Sequence, residues 1–359
     1  MKRFLMVLLA LLVVVLGAAA YAYYQFEQFG KQPIPLLIGQ TKIFEVKPGS
    51  NVRQVARDLQ SQGLMPDESL LPSDWLFLAQ ARKTNLASKI KAGAYELEGG
   101  MTPIDVLKKI VSGKTIQYKV TLIEGRTFKE FKQVLRNNEQ LEQTLSDADY
   151  TDIMAKLGAD AGTFPEGWFM PDTYNFPKGS KDIEVLKRSY QAMKDYLAEE
   201  WPKRTPHPLI RTPYDALILA SIVEKESGKP EERPLVAQVF LNRLEKNMRL
   251  QTDPTVIYGL GDAYNGNITK ADLQRDTPYN SYTRSGLPPT PIAMPSKISL
   301  NAVLHPQSTD ALYFVAKGDG SNTHNFSSTY EQHRKAVSQY LQNLKDAENS
   351  ATETTEGTP

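Results

Sequence analysis

The sequence contains no cysteine and only 4 histidines. The first absence removes disulfides, thiolate nucleophiles and cysteine-type zinc sites together, and it is compatible with an oxidising compartment. His207, His305, His324 and His333 show no i, i+4 helical pairing, so no zinc signature forms and neither metal nor cofactor is expected. Charge bias is missing as well: a formal net charge of +1, with no basic run beyond the N-terminus, argues against nucleic acid as a partner. No glycine-rich phosphate loop and no nucleophile-elbow pattern occurs. There is also no second long apolar run, so at most one segment is suited to crossing a bilayer.

That segment is Phe4 to Tyr24, an apolar run of about 20 residues, long enough to span a membrane as a helix and longer than a typical signal-peptide core. Lys2 and Arg3 precede it. The positive side stays cytoplasmic, which sends everything after about residue 25 across the membrane and places Tyr21, Tyr23, Tyr24 and Phe26 at the far interface. A single-pass anchor is the expectation. A cleaved signal is the rival reading, because Ala18-Ala19-Ala20 and Ala20-Tyr21-Ala22 resemble small-residue cleavage sites. At the opposite end, Asp346 to Pro359 holds acidic, hydroxyl and small residues with almost nothing to bury, which predicts a disordered tail.

The intervening chain, about 330 residues, is too long for one small core and suggests two or three folded units. Gly30 to Gly39 reads as a short spacer. Then come a strand at Ile43 to Val46, a helix with Val52, Val55, Ala56 and Leu59 on one side, a helix at Trp75 to Ala81, a strand at Ala94 to Leu97, and a helix opened by Thr102-Pro103. Gln117 to Leu122 alternates like a strand and begins a larger unit. Phe128 to Val134, Asp182 to Glu199 and Pro234 to Leu244 read as helices, Phe164 to Pro177 as a loop, Ala311 to Val315 as a late strand and Ser328 to Leu344 as a closing helix.

The stretch Ala216 to Ser227, ALILASIVEKES, holds the catalytic candidate. On a helix starting at Thr212-Pro213, Ala216, Leu219, Ile222 and Val223 gather on one side, and Glu226 falls within their arc while Glu224 points away and is expected to stay solvated. A carboxyl group on a buried helix face loses hydration, which raises its pKa and lets it act as a general acid. The competing reading is a buried glutamate satisfied by an arginine. Three further clusters follow, Gln251 to Gly259, Thr277 to Tyr282 and Gly286 to Ile292, each mixing aromatics with amides or hydroxyls and each stiffened by proline. Sugars want that mixture, an apolar face for the ring and hydrogen bonds for the hydroxyls. Tyr258, Tyr279 and Tyr282 are therefore candidates for lining subsites or for core packing, and Gln251 and Asn280 for bonding acetamido groups. Asp253 could be a second acid facing Glu226 or a turn former. Glu166 could orient substrate or serve structure.

Four ordered blocks carry a resemblance: Glu166 to Tyr174 (EGWFMPDTY), ASIVEKES, LQTDPTVIYG and YNSYTRSGLPPTPI. Together they resemble the endolytic murein transglycosylase family, the YceG-like proteins, over nearly the whole chain. The resemblance implies that the second glutamate of the IVEKE block, Glu226, is catalytic, and that KAGAYELEGGMTPIDVLKKIVSGK belongs to a LysM-like module, either glycan-binding or a packing spacer. The implied fold class is α+β: a transmembrane anchor (1–25), a spacer (26–40), a small LysM-like α/β module (41–115), a larger mixed α+β catalytic domain (116–345) and the acidic tail (346–359).

It also implies a lyase that cleaves the β-1,4 bond from N-acetylmuramic acid to N-acetylglucosamine in nascent peptidoglycan, leaving 1,6-anhydromuramic ends and terminating strand elongation. The expected location is the inner membrane, with the catalytic domain periplasmic. Expected partners are glycan strands and, by resemblance, the synthases that polymerise them. A muramidase using water and a non-catalytic glycan-binding scaffold are the alternatives.

Overall fold

A computed structural model describes residues 2–67, 69–145 and 149–356. It is a mixed α+β structure that divides into two compact units, Met1–Tyr118 with Asn175–Gly179, and Lys119–Tyr174 with Ser180–Pro359.

Unit 1 opens with α1 (Lys2–Phe29), which contains a helix of length and composition suited to a bilayer, Arg3–Phe29, whose apolar window is exposed throughout. It continues through β1 (Thr41–Val46), α2 (Val52–Ser61), α3 (Ser73–Lys83), β2 (Gly93–Glu98) and α4 (Pro103–Ser112) to the first two residues of β3 (Gln117–Leu122), the rest of which belongs to unit 2. β1 and β2 pair antiparallel with Phe44 opposite Tyr95. Their inward side chains pack on the apolar faces of α2, α3 and α4, around Phe44, Leu59, Phe77, Tyr95, Leu107 and Ile110. α4 starts on a reciprocal capping box between Thr102 and Asp105, with Pro103 in its first turn. The residues read as a spacer are built into this core: Phe29 and Ile34 are buried, and Ile34 N donates to Met101 O at 2.7 Å.

Unit 2 comprises most of β3, α5 (Phe128–Arg136), α6 (Tyr150–Lys156), the first half of β4 (Asp172–Pro177, whose Asn175–Pro177 count with unit 1), α7 (Asp182–Glu200), α8 (Pro213–Glu226), α9 (Arg233–Glu245), α10 (Asp253–Leu260), α11 (Lys270–Gln274), α12 (Lys297–Leu304), β5 (Tyr313–Ala316), β6 (His324–Ser327) and α13 (Tyr330–Glu356). α8 sits at its centre. Leu217, Leu219, Ile222 and Val223 pack against α7, α9 and α12 in one apolar cluster. β5 and β6 form an antiparallel pair, and Phe314 on β5 meets Phe240 of α9 edge-on at 5.7 Å.

Three sequence expectations change here. The segment read as a loop through Pro177 ends in β4, which pairs with β3 and turns Tyr174 and Phe176 inward by strict alternation. The cluster Gln251 to Gly259 is mostly helix, because Asp253-Pro254 occupies a helical first turn where proline is at home. The tail from Asp346 is helical as far as Glu356, since α13 runs on without a break; residues 357–359 lie outside the described residues.

Candidate active site

α8 begins at a capping box in which Thr212 Oγ1 accepts from Asp215 N at 3.1 Å and Asp215 Oδ2 accepts from Thr212 N at 2.8 Å. Every residue from Ala216 to Glu224 is buried, so the helix has no solvated face in that stretch. Glu224 is accordingly not solvated. Its Oε1 lies 3.0 Å from Arg233 Nη2, and its Oε2 accepts from Arg233 Nη1 (3.2 Å), Ser296 N (2.8 Å) and Ser296 Oγ (2.6 Å). The glutamate satisfied by an arginine is Glu224, because α9 and the start of α12 close over the face that a one-sided helical wheel leaves to water.

Glu226, two residues on, ends α8 and opens into a cavity of about 350 Å³ whose lining includes Phe240, Arg243, Gln251, Asp253, Tyr282 and His333. It is partly buried. Burial pushes its carboxyl pKa up, and the charge of Asp253 adds to this, while a hydrogen bond from Thr252 and the positive field of Arg243 pull the other way. Arg243 does not pair with it. That guanidinium is spent on backbone carbonyls, donating to Leu312 O and Leu250 O at 2.7 Å each, and it lies over the Tyr313 ring at 5.2 Å. His333 stacks on the same tyrosine at 5.1 Å with Nδ1 buried and unpartnered, and burial holds its pKa down.

Thr252 is the residue that sequence reasoning missed. It stands at the N-cap position of α10, yet its hydroxyl makes no cap hydrogen bond and donates to Glu226 Oε1 instead. A threonine before Asp-Pro reads as an ordinary cap, and only the fold reveals its diversion. The backbone around it is pinned: Thr252 N donates to Ser281 Oγ at 3.0 Å, and Ser281 Oγ meets Thr255 Oγ1 at 2.7 Å. Gln251 beside it adopts φ 52°, a left-handed conformation that costs a non-glycine residue about 1–2 kcal/mol. Asp253 accepts from Tyr282 Oη at 2.5 Å, and burial together with that acid raises the tyrosine's pKa.

Gln251, Asp253 and Tyr282 thus share the cavity of Glu226. Tyr258, Tyr279 and Glu166 do not. They line a different cavity of about 750 Å³, together with Phe128, Tyr150 and Phe164. There the two tyrosines meet at 4.9 Å, and Glu166 accepts from Phe128 N at 2.9 Å and Tyr258 Oη at 3.0 Å. Burial pushes the Glu166 carboxyl up to about 7. α10 links the two places, with Asp253 at one end and Tyr258 near the other.

Asn280 does not fit its expected role. It is buried, its Nδ2 donates to Asp272 O, Leu273 O and Arg275 O, and its Oδ1 accepts from Tyr282 N at 2.8 Å. With both polar atoms of its side chain committed to the end of α11, to Arg275 and to Tyr282, it has nothing left for an acetamido group.

The YceG-like family matches residues 44–339. The chain is 32% identical over 277 residues to the endolytic murein transglycosylase of Bacillus subtilis strain 168, covering 71% of this chain and 74% of that protein. To the endolytic murein transglycosylase of Streptococcus pneumoniae serotype 2 strain D39 it is 26% identical over 91% of its own length, and it spans 63% of that relative. A crystal structure of a yceG-like protein from Listeria monocytogenes superposes with a TM-score of 0.51 at 29% identity, covering 83% of this chain and 99% of that one.

Proposed function

The chain belongs to the YceG-like family, and on that premise we propose that it is a peptidoglycan lytic transglycosylase with Glu226 as its acid–base residue. The observation carrying this reading is the state of that side chain: partly buried, raised in pKa by burial, bonded by a hydroxyl donor, without an ion-pair partner among the described residues and facing a cavity. Protonated Glu226 donates to the glycosidic oxygen as the bond from the muramic anomeric carbon breaks, releasing the 4-hydroxyl of N-acetylglucosamine. The C6 hydroxyl of the muramic residue then closes on the anomeric carbon, and its proton returns to the carboxylate. One group serves twice and no water is consumed.

In this reading Gln251, Asp253 and Tyr282 bind the saccharides beside the scissile bond, supported by their sharing the cavity of Glu226, and Tyr258, Tyr279 and Glu166 hold more distant units of the strand. A second reading keeps the substrate but uses water. It is favoured by Asp253 in the same cavity, since hydrolases pair two carboxyl groups about 5–5.5 or 6.5–9.5 Å apart. Mass spectrometry of the cleaved glycan decides between them: the transglycosylase leaves 1,6-anhydromuramic ends, while hydrolysis leaves reducing ends heavier by one water.

Thr252→Val tests the positioning of the acid. The hydroxyl stabilises the carboxylate form, so its loss raises the Glu226 pKa further. The first step needs the protonated form, and the rate falls as pH rises through that pKa. We expect the alkaline limb of the kcat/KM profile to move to higher pH in the variant; an unmoved limb removes Thr252 from the mechanism.

In the same reading α1 crosses the inner membrane with its N-terminus cytoplasmic, unit 1 is the LysM-like module and unit 2 the catalytic domain, both periplasmic. Tethering concentrates the site on strands as they emerge and brings it near the synthases that make them.

A further inference from the structure

Unit 1 holds a feature that cleavage at Glu226 leaves unexplained. Between the outer faces of α2 and α3 lies an open cavity of about 490 Å³ lined by Arg53, Arg57 and Arg82. Among the described residues none of these three side chains has a hydrogen-bond or ion-pair partner. The one acid lining the cavity, Asp74, accepts from Trp75 N at 2.9 Å at the start of α3. Trp75 stands in the same groove with 70% of its surface exposed, and Leu70 just before α3 is 81% exposed. Tryptophan is on average highly buried. An indole left in water beside unpaired guanidiniums is the pairing that suits a bilayer interface, where the ring sits at headgroup level and the cations meet phosphates.

The same helix fastens the anchor. Gln80 Nε2 donates to Phe26 O at 2.8 Å, Lys83 Nζ lies 2.5 Å from Glu27 Oε1 and 5.1 Å from the Phe26 ring centre, and Phe29 is buried in the core of unit 1. The apolar run ends at Tyr24, about one helical turn before this junction. A membrane crossed by α1 therefore has its surface beside the end of α3 that bears Arg82.

We propose that the arginine-lined groove between α2 and α3 binds anionic phospholipid headgroups, with Trp75 among them, so that unit 1 rests on the membrane its own anchor crosses. Guanidiniums match phosphodiester oxygens with paired N–H donors, which lysines cannot do. The inference depends on the anchor reading of α1 and adds a second, charge-selective contact to it.

The test uses the full chain in nanodiscs of brominated lipid, either phosphatidylcholine alone or with phosphatidylglycerol, and reads the emission that Trp75→Phe removes. Strong quenching is expected only with phosphatidylglycerol. Replacing Arg53, Arg57 and Arg82 by Gln should cut it at least about three-fold, because each basic side chain near an anionic leaflet is worth about five-fold in affinity. All three are exposed, so the triple variant keeps its core. Equal quenching in both lipids, or none, overturns the proposal. So does a shift of Trp75 emission caused by a soluble muropeptide with a peptide stem and by neither lipid, which would assign the groove to glycan. A chain that does not co-isolate with the discs overturns the anchor reading and this proposal with it.

Discussion

Glu226→Gln is expected to lose about 10²- to 10⁴-fold in the rate of glycan cleavage, the range for deleting a general acid or base, while folding as the unaltered chain does. The amide keeps the carbonyl oxygen that accepts from Thr252 and fills the same space in the cavity. It can neither protonate the departing oxygen nor take the proton of the attacking hydroxyl. Its effect on stability has a definite sign. Burial raises the folded-state pKa of Glu226, so the stability tied to its bound proton is complete at low pH and is lost as pH rises through that raised value. The glutamine variant lacks this loss and should melt relatively higher in alkaline buffer. Counting anhydro ends by mass spectrometry and melting both proteins across pH separate the two effects. Unaltered cleavage by the variant would remove Glu226 from the chemistry, and unaltered cellular function without cleavage would favour a scaffold.

Local signals carried much of the fold. Thr102-Pro103 followed by Asp105, and Thr212-Pro213 followed by Asp215, are start signals whose hydrogen bonds depend on near neighbours, and both helices begin there. β4 and α10 were harder to read because their cause is distant: β4 exists by pairing with β3, and the prolines at Pro177 and Pro254 look like loop markers until their places in strand and helix are known. The two glutamates show the same limit more sharply. A helical wheel assumes one buried face, but α8 is buried all round from Ala216 to Glu224, so orientation alone could not separate Glu224 from Glu226. Partners separate them. Arg233 and Ser296 neutralise the first, and the second meets a threonine and a cavity, contacts made across 9 to 72 positions of sequence. Asn280 shows a related limit: its type suited a sugar, but the end of α11 and the adjoining loop use both polar atoms of its side chain.

Arg233→Met should produce the mirror image of Glu226→Gln, a large loss of stability with the chemistry intact in whatever remains folded. Arg233 is buried and gives Glu224 its only ion pair among the described residues. Methionine fills similar volume but leaves a carboxylate in the interior with only Ser296 as donor. Removing one partner of a buried pair costs about 3–5 kcal/mol, which for a unit of this size lowers Tm by roughly 10 °C. Glu224→Gln should also be strongly destabilising, because it leaves the buried Arg233 guanidinium without its counter-charge, held only by neutral acceptors such as Ser227 O. Combining Glu224→Met with Arg233→Met should recover much of the loss, because both charges then leave together. If Arg233→Met melted like the unaltered chain, the pair would not be holding α8 to α9 and α12. If it melted normally but stopped cleaving, Glu224 would have to join Glu226 in the reaction, and the division of labour between the two glutamates would fall.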